Sequence, residues 1–169
     1  DIRPEVHLAL AETFGALDEP HLLYPHVKGF DRIVKLENDS GAPPDTNSWH
    51  TDLTFKLTQP FASILVARTV PEVGGDTLFA NMEAAYDNLT NEMKEQLDGL
   101  YAIHDNRFFL DAMRKRGVSE ADIEAKMREF PPSRHPVIRT HPVSGRKSIY
   151  VNCAFTNTIE GMDPVEAEL

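Results

Sequence analysis

The stretch Asn47–Asp52, NSWHTD, places an imidazole and a carboxylate two residues apart, at His50 and Asp52. On a β-strand, residues two apart face the same side, so both groups could bind one cation. A second His from elsewhere would complete a facial set of two imidazoles and one carboxylate. That set holds iron(II) and leaves coordination positions open. The pair alone carries little weight. With 7 histidines and 27 acidic residues in 169 positions, roughly one His-x-Asp/Glu match is expected by chance. The chain has one such match, and a surface His beside a surface Asp is its plain alternative.

Other residues could serve a small anionic ligand. In GGDT, residues 74–77, two glycines suit a tight turn, and Thr77 leaving it could offer a hydroxyl to a carboxylate. In HLLYPH, residues 21–26, His21 and Tyr24 are hydrogen-bond donors close together, although Pro25 argues against a helix there. An exposed loop with one packed aromatic is the alternative. His104, His135 and His141 could each supply a third metal ligand. Lacking a motif, all three are read as structural.

These groups need elements to position them. Residues 4–14 read as a helix with Pro4 in its first turn and Gly15 at its end. FDRIVKLE, 30–37, reads as a strand, and NDSGAPPDTNS as a loop of turn formers leading to Trp49 and His50. FASILVART, 61–69, is apolar enough for a strand buried on both faces. LFAN, 78–81, reads as a short strand after the GGDT turn. Two short helices follow Asn81 and Thr90, both good N-caps, and Gly99 stops the second. LYAIHDN reads as a strand. A helix over 119–130 is capped by Ser119 and stopped by Pro131 and Pro132. Residues 135–152 have the pattern of a β-hairpin. Asp163 and Pro164 suit the start of a further helix that the last residues barely begin. Short β segments with inserted helices point to a mainly β fold, a sandwich or jelly roll. The length suits one domain, residues 1–169.

A net charge of −10 excludes general binding to nucleic acid or an anionic membrane surface. It allows a small anionic substrate in a local pocket. One cysteine, Cys153, excludes a disulfide framework and a cysteine-based zinc site. No apolar run is long enough to span a membrane, and the N-terminal residues do not read as a signal peptide. The expectation is a cytoplasmic homo-oligomer.

The order of three segments is more specific than any of them. WHTDLTF, then GGDTLFANMEAAYDNL, then HPVIRTHPVSGRKSIYVN resembles the taurine dioxygenase family of iron(II)- and 2-oxoglutarate-dependent oxygenases, from about residue 20 to about residue 160. The resemblance implies a double-stranded β-helix, a jelly-roll variant. It implies Fe(II) as cofactor, with 2-oxoglutarate and O2 as cosubstrates. It assigns His50 and Asp52 as iron ligands and Thr77 as a donor to a 2-oxoglutarate carboxylate. It places His21, Tyr24 and Leu53 against the substrate. Thr46 stands where the taurine-acting relative carries a substrate-contacting Asn, so the pocket changes shape there. The family's second iron-binding His and its carboxylate-clamping Arg residues would fall beyond Leu169. The chain is therefore expected to be the central portion of a larger catalytic domain, with an incomplete jelly roll. The implied reaction is hydroxylation of a sulfonate such as taurine or of a sulfate ester. Alternatives are another small acid, such as an aryloxyalkanoate, or a catalytically silent cupin-like binding protein.

Overall fold

In the computed structural model, the described residues are 2–21, 24–39, 41, 48–163, 165 and 167. Among them are five helices and seven short strands, all paired strands antiparallel. The chain divides into two compact units, residues 1–47 with 60–77, and residues 48–59 with 78–169.

The first unit begins with helix α1, Pro4–Glu12, whose first residue is Pro4. Proline is favoured there because its fixed φ is already helical and its missing N–H is not needed. His7 Nε2 donates to the Ile64 carbonyl at 3.0 Å, and Arg68 reaches the Ile2 carbonyl at 2.5 Å. These bonds fasten the 60–77 segment to the helix. Strands β1, His26–Val27, and β2, Phe30–Val34, form a hairpin. Gly29 turns it at φ +83°, a conformation that costs a residue without Cβ least.

The segment over 61–69 is not a strand. A strand exists through its ladder, and this one has no partner among the described residues. Phe61 is 79% and Leu65 71% exposed, against the double burial that the sequence suggested. The short strand expected at 78–81 is absent for the same reason.

The second unit carries the core. Helices α2, Met82–Asp87, and α3, Asn91–Leu97, start where expected. Asn81 Oδ1 accepts from the Glu83 and Ala84 amides, each at 3.0 Å, and Thr90 Oγ1 accepts from the Met93 amide at 3.2 Å. Such caps satisfy amides that have no helical partner and contribute about 1 kcal/mol each. Strand β3, Tyr101–His104, is central in a three-stranded sheet, flanked by β4, Ser133–Pro136, and β7, Thr156–Ile159. Strands β5, Ile138–Thr140, and β6, Lys147–Ile149, form the expected hairpin. His141 Nδ1 accepts from the Val143 and Ser144 amides in its turn, at 3.2 Å each.

Helix α5, Glu120–Glu129, buries Ile123 completely. Helix α4, Arg107–Lys115, was not expected. Its apolar residues Phe108, Phe109 and Leu110 are consecutive, which hides the helical period. The register is set by Leu110 and Met113, three apart on one face and both buried. The core closes on Phe55. Its ring lies 5.3 Å from Phe155, 5.6 Å from Phe130 and 5.8 Å from Phe109. Burying one such side chain contributes about 2–3 kcal/mol. Phe55 stands three residues past Asp52, so the core also anchors the segment that carries the pair. At the C-terminal end, Asp163 Oδ1 accepts from the Val165 amide at 2.9 Å. Pro164 and most of the helix start expected there lie outside the described residues.

Candidate functional site

His50 and Asp52 come together, but not on a strand. Residues 52–55 form a turn, closed by the Lys56 amide donating to the Leu53 carbonyl at 3.0 Å. Leu53 sits at φ +54°, the left-handed region that side chains with a Cβ seldom adopt. Just ahead of this turn, His50 Nε2 lies 3.2 Å from Asp52 Oδ1. Across the ring, His50 Nδ1 lies 2.8 Å from the Ser48 carbonyl oxygen. A carbonyl only accepts, so Nδ1 carries the proton. In the neutral ring, Nε2 then directs a lone pair toward the carboxylate. Two electron-pair donors facing one point need a proton or a metal cation between them. The donor set therefore fits a divalent ion. A backbone carbonyl fixing the tautomer of a ligating imidazole is the usual support for such a ligand. The side chains are 30% and 63% exposed, which leaves the point accessible. Among the described residues no cluster of three or more His, Cys, Asp or Glu is placed to hold a metal.

Leu53 is half-buried at the apex of the same turn. His21, Tyr24 and Thr77 belong to the first unit. The His21 and Tyr24 rings are 4.8 Å apart and inclined at 41°, so the two rings lie side by side. Thr77 is exposed and follows Gly74 and Gly75, at φ +81° and +74°. At those positive φ values a residue with a Cβ would be strained, which favours glycine at both positions. Thr46 lies outside the described residues.

Beneath the pair is a polar network that the sequence did not signal. Thr54 is fully buried. Its Oγ1 lies 2.8 Å from His104 Nδ1 and accepts from Asn152 Nδ2 at 3.1 Å. His104 packs edge-on to His135, 5.2 Å between ring centres, and stacks on Tyr150 at 5.8 Å. His135 Nε2 lies 2.9 Å from Ser133 Oγ and 3.2 Å from the Lys56 carbonyl. Arg139 Nη1 donates to Gln59 Oε1 at 2.7 Å, and Gln59 Nε2 faces the His135 ring. Burial, reinforced by the neighbouring His135, pushes His104 down to about 4. Burial also lowers His135; Arg139 adds to the shift, and the Lys56 and Thr54 backbone opposes it. Both are neutral packing residues at pH 7, in keeping with the structural role read for them. Isolated Thr, Asn and His residues spread over a hundred positions carry no spacing that could have revealed the network.

The chain matches the family described as "Taurine catabolism dioxygenase TauD, TfdA family" over residues 1–168. An alkylsulfatase of Acinetobacter baylyi is 35% identical over 153 residues, 88% of this chain and 47% of the relative. An alpha-ketoglutarate-dependent sulfate ester dioxygenase of Pseudomonas putida is 34% identical over 158 residues, 90% of this chain and 51% of the relative. The crystal structure of a taurine dioxygenase from Burkholderia xenovorans is similar with a TM-score of 0.72 and 30% identity, over 98% of this chain and 51% of that one. The chain thus spans about half the length of these relatives.

Proposed function

The chain belongs to the taurine catabolism dioxygenase TauD, TfdA family, and from that premise we propose that the protein is an iron(II)- and 2-oxoglutarate-dependent dioxygenase acting on a small sulfonate or sulfate ester. The observation that carries this reading is the pairing of His50 Nε2 with Asp52 Oδ1 at 3.2 Å. His50 and Asp52 would hold the iron. When bound, iron with O2 and 2-oxoglutarate supplies the oxidising power to hydroxylate a C–H bond beside the anionic group, as 2-oxoglutarate becomes succinate and carbon dioxide.

The chain's own residues bind and orient. The Ser48 carbonyl keeps the His50 proton on Nδ1 and so keeps Nε2 available. Thr77 donates its hydroxyl to a 2-oxoglutarate carboxylate. His21 and Tyr24 give adjacent donors for an anionic head group, and Leu53 an apolar wall. Thr46, shorter than Asn and without an amide, shapes the pocket away from taurine itself. Two of the relatives are named for sulfate-ester chemistry, which supports sulfate esters within this class. The fold in this reading is the jelly-roll double-stranded β-helix, with residues 1–169 as the central portion of one catalytic domain. A cytoplasmic homo-oligomer belongs to the same reading. Among the described residues no helix is long and apolar enough to cross a membrane.

The test is consumption of 2-oxoglutarate by the full-length protein with taurine, longer alkylsulfonates, alkyl sulfates and aryloxyacetates. Stimulation by alkyl sulfates or alkylsulfonates is expected. Stimulation by aryloxyacetates alone would move the substrate to another class. No stimulation by any of them, with metal bound, would favour a silent binding protein.

A further inference from the structure

We propose that the turn at residues 152–155 is a clamp that positions the His50–Asp52 pair by gripping the chain on both sides of it. The inference rests on the reading of His50 and Asp52 as metal ligands. On the N-terminal side, Cys153 Sγ donates to the Trp49 carbonyl at 3.1 Å. On the C-terminal side, Asn152 Nδ2 donates to Thr54 Oγ1 at 3.1 Å. Two consecutive residues of one turn thus hold the residue before His50 and the second residue after Asp52.

The clamp is rigid in itself. Asn152 Oδ1 accepts from the Ala154 and Phe155 amides at 3.2 and 3.0 Å. That fixes which end of the amide faces Thr54. The Asn152 amide donates to Thr156 Oγ1 at 3.0 Å, and the Thr156 amide returns to the Asn152 carbonyl at 3.0 Å. The turn is therefore tied to β7, and Phe155 plugs it into the aromatic core. Its target is held as well. The Thr54 hydroxyl accepts from Asn152 Nδ2 and also meets His104 Nδ1, 2.8 Å away. A fully buried hydroxyl held between two polar partners has little freedom to move.

The clamped segment needs holding. Leu53 at φ +54° is strained, and such a conformation persists only where surrounding structure over-determines it. Freed of its anchors at both ends, the whole segment 49–54 would relax, and the 3.2 Å approach of Asp52 to His50 would open. Two ligands that must find each other bind a cation more weakly than two held in place. Thr54, Asn152 and Cys153 are positioning residues and touch neither metal nor substrate in this scheme. Groups that hydrogen-bond a ligand directly typically alter metal affinity 10–100-fold, and anchors one and two residues away are expected to act at the lower end of that range.

The experiment uses the full-length protein without oxygen, titrated with cobalt(II), a redox-stable divalent probe whose visible absorption reports its coordination. Thr54→Val keeps shape and removes the hydroxyl. It is expected to weaken cobalt binding about tenfold or more and to broaden the absorption band. Thr54→Ser restores the hydroxyl and is expected within about twofold of wild type. Cys153→Ala is expected to weaken binding and Cys153→Ser to rescue it. Ile123→Val, a core truncation on α5 with no hydrogen bond to the loop, controls for stability: it should lower Tm and leave cobalt affinity unchanged. The clamp is overturned if Thr54→Val binds cobalt like wild type, or if Ile123→Val weakens binding as much. His50→Ala separates the two levels. If it binds cobalt as tightly as wild type, the metal reading itself is wrong. If it loses cobalt while Thr54→Val and Cys153→Ala do not, only the clamp is wrong.

Discussion

His50 presents Nε2 to Asp52 Oδ1 at 3.2 Å while its Nδ1 proton is held by the Ser48 carbonyl. Both contacts are local, and neither side chain is part of the core. The pair can be removed without removing what holds the fold. His50→Ala is expected to abolish metal binding and turnover, while stability changes by about 1 kcal/mol or less, as for most partly exposed positions. Metal titration and thermal denaturation on one sample check this. A variant that unfolds at room temperature, or one that turns over at the wild-type rate, contradicts it.

The arrangement of the pair also marks how far the sequence could be read. The segment NSWHTD and its resemblance identify the two residues, and they do meet. The route by which they meet was not legible. Alternation on a strand would have placed them on one face, whereas they meet in an irregular segment that runs into a turn with a left-handed Leu53. A positive φ at leucine has no sequence signature, and Thr54 and Phe55, which follow it, are buried. Caps were legible at Asn81, Thr90 and Ser119, where a side-chain oxygen satisfies amides within three residues. Strands that depend on distant partners were less so. β7 was missed, and 61–69 was expected as a strand, because pairing is decided by what lies alongside and not by the run itself. Helix α4 was hidden by three consecutive apolar residues.

Thr77 is exposed and leaves a turn whose glycines are both at positive φ. Its hydroxyl is not spent on the core. Thr77→Val keeps the shape and deletes the donor. Hydrogen bonds to charged groups contribute about 1.5–3 kcal/mol. The Michaelis constant for 2-oxoglutarate is therefore expected to rise about tenfold or more, with melting temperature unchanged. Steady-state kinetics with 2-oxoglutarate varied at saturating substrate decides it. An unchanged constant would leave Thr77 as a turn residue only.

Buried neutral histidines give the second unit a characteristic acid response. Burial, together with His135, holds His104 down to about 4, whereas a histidine in an unfolded chain titrates near 6.5. Between those values the unfolded chain takes up a proton that the folded one refuses. Stability is thus complete above about pH 6.5, falls as pH drops through that window, and levels off near pH 4. His104 alone accounts for a loss on the order of 3 kcal/mol. His135, lowered in the same direction, adds to it. Asp105 behaves differently. Burial raises it, but hydrogen bonds from Arg107 and Asn157 outweigh burial and leave it lowered. Its contribution is present above the ordinary carboxylate range and is lost only as pH falls below that range, so the two effects separate. Urea denaturation at pH 7 and pH 4.5 is expected to show the fall in wild type, a smaller one in His104→Gln and the smallest in His104→Gln/His135→Gln. Equal falls in all three would refute the assignment.

The run from Phe61 to Phe79 sets the behaviour of residues 1–169 as an isolated polypeptide. Phe61, Leu65, Val70, Val73, Leu78 and Phe79 are all exposed, and among the described residues 61–69 form part of no sheet. Exposed apolar side chains along a segment outside any sheet give another chain a surface to associate with. The net charge of −10 opposes association at low salt, but screening shortens that repulsion to about 8 Å at physiological ionic strength. The isolated polypeptide is therefore expected to be inactive and to associate as concentration rises, more strongly in 0.15 M salt than in 0.01 M. Phe61→Lys with Leu65→Lys places charge on the run and is expected to suppress association while leaving the second unit's far-ultraviolet signal intact. Light scattering against concentration and salt provides the measurement. A wild-type 1–169 polypeptide that stays monomeric at high concentration and in salt would show that this run is protected, and a soluble polypeptide that couples 2-oxoglutarate consumption to substrate would show that residues 1–169 already hold a complete metal site.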